Sequence, residues 1–174
     1  MPRFLADGML GRFTRWLRML GCEVTYFNEA SDDRLLEVAE TEDRVLLTRD
    51  QELFQRAKAR GLDAQYLAGQ TTPETIAEVA KRYPIRLEVD PSRSRCPTCG
   101  SSIRPIEKAA VHDRVPTGTF KQYDEFWVCT SCGQVYWRGS HWNRITETLE
   151  QAKTLMRNQH TANPEIHQEK GGRT

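Results

Sequence analysis

The sequence predicts an α/β fold in which a parallel sheet flanked by helices is followed by a small β zinc-ribbon module. Up to about residue 90, short apolar runs alternate with segments whose apolar residues recur at helical spacing. Parallel strands need such helical crossovers. After residue 91, β-forming residues surround two CxxCG pairs, a pattern typical of a module organised by a metal ion.

The first strand, turn and helix lie between Phe4 and Gly21. A short apolar run reaches Asp7 and breaks at Gly8, and a helical apolar pattern follows, formed by Met9, Leu10, Phe13, Trp16, Leu17 and Leu20. In an open α/β sheet, ligands bind beyond the carboxyl ends of the strands. Asp7 is therefore the first candidate for a functional residue.

Three further strand and helix pairs complete a domain that we expect to span residues 1–90. The predicted strands are 23–27, 44–48 and 63–68, and the predicted helices are 31–42, 51–61 and 72–83. We expect a zinc ribbon at 91–145, a possible terminal helix at 146–157 and a disordered polar tail at 158–174.

Composition limits the class of protein. The 174 residues contain no apolar run of eighteen and no apolar signal region, because Asp7 and Arg12 interrupt the amino terminus. We expect a cytoplasmic protein whose five cysteines are metal ligands or free thiols rather than disulfides. Residues 1–90 carry 13 Lys and Arg against 16 Asp and Glu, and residues 91–174 carry 12 against 8. An acidic front half suits a cation, and a basic back half suits a phosphate partner.

Acidic residues follow three predicted strands. They are Asp7, the pair Asp32 and Asp33, and Asp50, with Glu52 close behind. Because the carboxyl ends of parallel strands share one edge, these carboxylates are expected to converge on Mg²⁺ or Mn²⁺, where a metal-activated water would attack a phosphodiester. Two structural alternatives stay open. Asp32 fits a helix N-cap, and Thr48 with Gln51 fits a capping box that would make Asp50 a first-turn residue.

Basic and aromatic residues supply candidate RNA contacts. Arg12, Arg15 and Arg18 recur every three residues on the first helix, where they would hold phosphates or simply solubilise the surface. Arg138 and His141 lie within the segment YWRGSHW, whose aromatic rings would stack on bases or pack the ribbon against the first domain.

The cysteines give the most specific signal. Cys96 with Cys99 and Cys129 with Cys132 form two CxxCG knuckles, which predict a closed, structural site with four thiolate ligands, most readily zinc. The alternative is an iron site similar to that of rubredoxin, which would imply electron transfer. It stays open because the 29 residues between the pairs exceed the common spacing of zinc ribbons. Cys22 is unpaired and reads as a small buried apolar residue.

DGMLGRFTRWLRMLG, LTRD, the two CxxCG knuckles and YWRGSHW together resemble the PIN-like RNase domain at the carboxyl end of the mutator exonuclease. This is the Mut-seven C-terminal family, and the match covers about residues 3–145. The resemblance implies a PIN-like parallel sheet, a metal-dependent ribonuclease and a fused zinc ribbon. It assigns the catalytic acids to Asp7, to Asp33 or Asp32, and to Asp50, and leaves Glu52 or Glu37 as the fourth acid.

These observations together predict a cytoplasmic ribonuclease that uses Mg²⁺ or Mn²⁺ at its acids and a zinc ribbon to guide RNA. The alternative from another class is a non-catalytic RNA- or ribosome-binding adaptor, in which the basic ribbon is the functional surface. That alternative predicts RNA binding that is sensitive to salt and indifferent to Mg²⁺.

Overall fold

A computed structural model describes residues 1–158 of the chain. Strands and helices alternate through the first part, as the apolar pattern predicts. Two 3₁₀ turns, Gly8–Leu10 and Lys108–Val111, accompany the regular elements. The strands and helices are β1 (Arg3–Ala6), α1 (Gly11–Met19), β2 (Glu23–Tyr26), α2 (Asp32–Thr41), β3 (Val45–Thr48), α3 (Gln51–Ala59), β4 (Ala64–Tyr66), α4 (Thr72–Arg82), β5 (Ile103–Ile106), α5 (Thr117–Gln122), β6 (Phe126–Cys129), β7 (Val135–Tyr136) and α6 (Trp142–Asn158).

The first four strands form one sheet in the order β2-β1-β3-β4, and all of its pairs are parallel. Leu5 of β1 pairs with Leu46 of β3, and Ala6 pairs with Leu47. The register therefore places Asp7, the residue after β1, beside Thr48, the last residue of β3, at the carboxyl edge of the sheet. The predicted fold class, a parallel sheet flanked by helices, is confirmed.

Side chains alternate between the two faces of this sheet, so each face buries its own apolar cluster. Phe4 and Ala6 pack with α1, α4 and α6 on one face. Leu5 and Leu46 pack with α2 and α3 on the other. The strands read as continuous apolar runs because both faces are covered.

The last described helix, α6, belongs to the α/β core although it follows the ribbon in sequence. It begins at Trp142 and ends at Asn158, which is longer than the predicted segment 146–157 and includes the first residue of the predicted tail. Leu149 and Ala152 are buried against the same cluster as α1 and α4. The remaining tail prediction lies outside the described residues. Within residues 1–158, no helix combines the length and apolar character needed to cross a bilayer.

The ribbon consists of a three-stranded antiparallel sheet in the order β5-β6-β7. Its small core is formed by Val111, Phe126, Val128 and Val135. The connection between β5 and β6 contains a 3₁₀ turn and α5, neither of which the sequence predicts, because both are too short to show a helical period.

The ribbon is attached at the amino-terminal edge of the parallel sheet, where α1 ends and β2 begins. The Ser94 hydroxyl donates a hydrogen bond of 2.6 Å to the Met19 carbonyl, and the Arg95 N–H donates one of 2.9 Å to the Arg18 carbonyl. Gly21 has a φ of +88°, and a Cβ there would lie 3.0 Å from the Arg93 carbonyl oxygen. The close approach of the two modules therefore requires glycine at this position.

Candidate functional site

Asp7 lies at the carboxyl end of β1 and is 5% exposed. One carboxylate oxygen accepts the Met9 N–H at 2.9 Å, and the other accepts the Thr48 hydroxyl. Within residues 1–158, no Lys, Arg or His forms an ion pair with Asp7. A buried carboxylate held only by neutral donors keeps lone pairs free and lacks a compensating charge, and a cation satisfies both needs.

The turn after Asp7 is tightly packed against the end of β2. A Cβ at Gly8 would lie 2.6 Å from the Asn28 carbonyl oxygen, so only glycine fits. The chain then forms the 3₁₀ turn instead of the first turn of α1, which leaves Met9 70% exposed rather than in the apolar helix face that we predicted.

Thr48 joins the ends of β1 and β3. Its side chain is fully buried, its hydroxyl donates to Asp7, and its oxygen accepts the Asp50 N–H at 2.9 Å. Asp50 itself is the N-cap of α3, since one of its oxygens accepts the N–H groups of Glu52 at 2.8 Å and Leu53 at 3.0 Å. The proposed capping box of Thr48 and Gln51 is therefore wrong, and Asp50 is not a first-turn residue. Its other carboxylate oxygen has no hydrogen-bond partner among the described residues.

Asp32 and Asp33 lie in the first turn of α2, and the N-cap is Ser31 rather than Asp32. Arg56 of α3 approaches both acids, with Nη1 at 3.3 Å from Asp32 and Nη2 paired with Asp33. The hydrogen bond from Asp33 is the main reason that the pKa of Arg56 is raised. This arginine supplies the positive charge that the sequence analysis assigned to a divalent ion.

The three acidic positions do not converge on one point. Among the His, Cys, Asp and Glu side chains of residues 1–158, the four cysteines are the only group of three or more that could hold one metal ion. Asp7 and Asp50 are linked through Thr48, whereas Asp32 and Asp33 are held by Arg56. Glu52 is exposed, and Glu37 pairs with Arg34 at 2.8 Å. Carboxylates without a shared cation repel one another, so each takes the nearest donor.

The three arginines of α1 do not share one environment. Arg12 and Arg15 are exposed and have no side-chain partner in the described part of the chain. Arg18 is 8% exposed and donates to the carbonyl oxygens of Val24 at 3.1 Å and of Pro97 and Thr98 at 3.3 Å. The expectation that Arg18 contacts RNA is corrected, because the ribbon covers its guanidinium.

Arg138 and His141 lie near the junction of the ribbon with α6. The Arg138 guanidinium carbon lies 5.5 Å from the ring centre of Trp127 and 5.1 Å from that of Trp142. Its ion pair with Glu125 is long, at 3.9 Å. His141 is exposed at the start of α6.

The four predicted cysteine ligands converge. The sulfurs of Cys96 and Cys132 are 3.7 Å apart, those of Cys99 and Cys129 are 3.4 Å apart, and all four lie within 4.8 Å of one another. A tetrahedral ion with Zn–S bonds of about 2.3 Å places its sulfurs about 3.8 Å apart. The donor set therefore fits a metal such as zinc, and the separations exclude disulfides.

Three neighbouring residues interact with the cysteines. The Tyr136 hydroxyl lies 2.9 Å from the Cys96 sulfur. Burial lowers the pKa of Arg18, while the thiolates of Cys99 and Cys96 oppose that shift by attraction. Hydrogen bonds from Ser101 are the largest cause of a Cys99 pKa lowered to about 6. The attraction to Arg18 favours the thiolate forms of Cys96 and Cys99, and the Ser101 hydrogen bonds favour that of Cys99.

We call the carboxyl edge of the parallel sheet, with Asp7, Asp32, Asp33 and Asp50, the acid edge. Two residues that contact these acids, Thr48 and Arg56, were not predicted as site residues. Thr48 could have been predicted, because the carboxyl ends of parallel strands lie side by side. The threonine of LTRD ends one predicted strand, and Asp7 follows another. No sequence signal pointed to Arg56, because its pairing depends on how α3 packs beside α2.

A comparison with protein families identifies the family of this chain. A family model described as the Mut7-C RNAse domain matches residues 2–149. The chain belongs to this family. None of the curated proteins that were searched matches the chain. In this Mut7-C chain, the match spans the parallel sheet, the whole ribbon with its four cysteines, and the first half of α6. The resemblance noted from the motifs is thus confirmed.

Proposed function

We propose that this Mut7-C chain is a metal-dependent ribonuclease that hydrolyses RNA phosphodiesters at the carboxyl edge of its parallel sheet. The observation that carries the proposal is the buried Asp7 carboxylate, which has no cationic partner in residues 1–158 and is linked by Thr48 to Asp50. Membership of an RNAse domain family supports RNA as the substrate.

Asp7 and Asp50 are the residues proposed to hold Mg²⁺ or Mn²⁺. Mg²⁺ usually binds proteins through one or two carboxylates together with substrate phosphates, so two acids suffice. When bound, such an ion supplies a nucleophilic water at neutral pH and charge for the leaving oxygen. Asp33, Asp32 and Glu52 remain candidates for further ligands, and the first two would have to leave Arg56.

Neighbouring residues hold the Asp7 carboxylate in one orientation at the carboxyl edge of the sheet. Thr48 fixes the orientation of Asp7 through the hydroxyl hydrogen bond, and the backbone of the 3₁₀ turn fixes its other oxygen. Arg12 and Arg15 are exposed on α1 beside this edge, and we propose that they bind phosphates without reading the base sequence. The ribbon lies at the opposite edge, so we propose that it contacts RNA away from the cleaved bond.

We propose zinc as the ion of the four cysteines, and the cytoplasm as the location. The iron alternative predicts a coloured protein with visible absorption, and a colourless purified protein rejects it. A closed site of four thiolates leaves no open position for hydrolysis, so we assign this ion a structural role.

The test is a cleavage assay with labelled single-stranded and structured RNA in Mn²⁺, Mg²⁺ or EDTA. We expect metal-dependent cleavage that Asp7→Asn lowers by at least about 100-fold, because loss of the ion removes several kcal/mol of transition-state stabilisation. The melting temperature of that variant should be unchanged or raised, since a buried charge is removed. Asp43→Asn is the matched control, because Asp43 is exposed in a turn outside the acid edge, with a φ of 49° that Asn tolerates.

An RNA-binding adaptor without catalysis is the second candidate, and the pairing of Arg56 with Asp32 and Asp33 favours it. It predicts salt-sensitive RNA binding in EDTA and no cleavage in any metal. Equal cleavage by the wild type and Asp7→Asn would instead place the activity elsewhere.

A further inference from the structure

The strongest feature outside the acid edge is a cavity between the ribbon, the end of α1 and the start of α6. Its volume is about 110 Å³, and three of the four tryptophans in the chain line it, Trp127, Trp137 and Trp142. It is smaller than the closed cavities of about 150 Å³ that enclose benzene, but it is open to solvent on one side, so a planar ring can insert between its walls without being fully enclosed.

The charge of the lining is positive. Arg138 and Arg95 are the charged residues among the lining side chains, and the lining includes no acid. Both arginines are partly exposed, and their ion pairs are long, at 3.9 Å from Arg138 to Glu125 and 4.0 Å from Arg95 to Glu23. Arg95 also donates to the Gly100 carbonyl at 3.2 Å, so Arg138 is the freer of the two. Flat apolar walls beside the Arg138 guanidinium, which has no hydrogen-bond partner among residues 1–158, complement one type of ligand, a planar ring attached to an anion.

A continuous helix face connects this cavity with the acid edge. Arg12, Arg15 and Met19 occupy positions i, i+3 and i+7 of α1 and therefore lie on the same side of the helix. Arg12 and Arg15 are exposed, and Met19 lines the cavity. The nine residues of α1 span about 14 Å, so one extended chain of phosphates can contact both ends.

We propose that the cavity holds an unpaired nucleobase of single-stranded RNA, with the adjoining phosphate on Arg138. The inference rests on the proposed function for the identity of the polymer, and it assigns the substrate class, single-stranded RNA. A base inside a duplex is stacked on both faces and paired along one edge, so it cannot enter a cavity of this kind. The phosphates that follow the bound base then run along Arg15 and Arg12 toward Asp7.

The experiment measures binding of a labelled 12-nucleotide oligouridylate by the full chain carrying Asp7→Asn, in EDTA, so that the RNA stays intact. Tryptophan fluorescence should be quenched on binding, because three of the four indoles line the cavity. Trp142→Leu should weaken binding about five-fold or more, the lower limit for loss of one base stack. A duplex of the same length should bind more weakly and quench less.

Arg138→Gln provides a second variant, which removes the charge and keeps all three tryptophans of the cavity. It should weaken binding and reduce the slope of log K against log[salt] by about 0.7, the value for one phosphate contact with single-stranded RNA. Arg60→Gln is the charge-matched control, because Arg60 is exposed at the end of α3 on the other face of the sheet, and it should leave affinity and quenching unchanged.

Far-UV circular dichroism and melting establish that each variant is folded. The proposal is overturned if folded Trp142→Leu and Arg138→Gln proteins bind oligouridylate like their parent, if the indoles are not quenched, or if duplex RNA binds equally well. If the cavity binds a peptide instead of a base, the variants should bind oligouridylate like their parent and the indoles should not be quenched. The cleavage assay is independent, so failure of hydrolysis and failure of base binding are separate outcomes.

Discussion

At the scale of single residues, Thr48 explains why Asp7 has a defined orientation. One hydroxyl donates to a buried carboxylate and accepts the N–H of Asp50, so the two candidate ligands depend on the same atom. Serine is therefore the one replacement at position 48 that keeps an aliphatic hydroxyl in this place.

We therefore predict that Thr48→Val destabilises the protein by about 2 kcal/mol or more. Valine has nearly the same shape but leaves a buried carboxylate oxygen and a backbone N–H without partners. Urea unfolding measures the loss, and titration with Mn²⁺ should show weaker binding because Asp7 is no longer held in place. Thr48→Ser is the control and should retain most of both. Equal stability of the valine and serine variants would contradict the role assigned to this hydroxyl.

The positions of Asp7 and Asp50 were predictable from the sequence, because an acid after a buried strand must lie at the carboxyl edge. The environment of Arg18 was not. Its spacing from Arg12 and Arg15 indicates one shared helix side, but the carbonyl oxygens of Pro97 and Thr98, about eighty residues away, decide that it is buried. The partner of Asp32 and Asp33 was hidden for the same reason.

At the scale of elements, α6 packs in the core of the α/β part of the chain although it follows the ribbon in the sequence. Its apolar residues face the cluster that α1 and α4 cover, although the entire ribbon lies between α4 and α6 in the chain. We predict that Leu149→Ala lowers the free energy of unfolding by about 2 to 5 kcal/mol, the usual cost of such a change in a core.

Chemical denaturation measures this loss, with Gln151→Ala as the control on the exposed side of the same helix. The control should change stability by less than about 0.5 kcal/mol. A small effect of Leu149→Ala, within that range, would mean that α6 is peripheral to the core.

The helical and strand periods of residues 1–90 predicted all four parallel strands and their helices within a few residues. The ribbon was less predictable, because it consists of short strands and turns and has no repeated apolar face. The 3₁₀ turn at Lys108–Val111 and α5 carry no period long enough to detect.

At the scale of the whole molecule, the ribbon and the α/β core are coupled through Arg18. The guanidinium of this core residue donates to the first cysteine knuckle and to β2, so the conformation of the knuckle affects the end of α1. Sequence spacing predicted both modules but not the edge at which they meet, since that depends on long-range contacts.

Removal of the ion from the cysteines should therefore lower the stability of the complete protein. We predict that Cys99→Ser binds less than one zinc per chain and melts at a lower temperature, because binding free energy of a structural ion is folding free energy. Metal analysis after chelation and thermal melting measure the two effects.

Cys22→Ala is the matched control for the cysteine change. Cys22 is buried, and burial raises the pKa of its thiol to about 12, so it remains protonated and is not a ligand. This variant should keep full zinc. Full zinc content in Cys99→Ser would refute the set of four ligands.

The separation of α6 from α4 in the sequence also affects synthesis on the ribosome. The 59 residues between Arg82 and Trp142 must be translated before α6 emerges, which takes about 3 to 12 s at about 5 to 20 residues per second. During that interval α4 lacks the helix that covers its apolar side, and Cys132, the last of the four cysteines, is translated ten residues before Trp142. All four cysteines are therefore synthesised before the helix that completes the core, so the metal site can form before α6 covers α4.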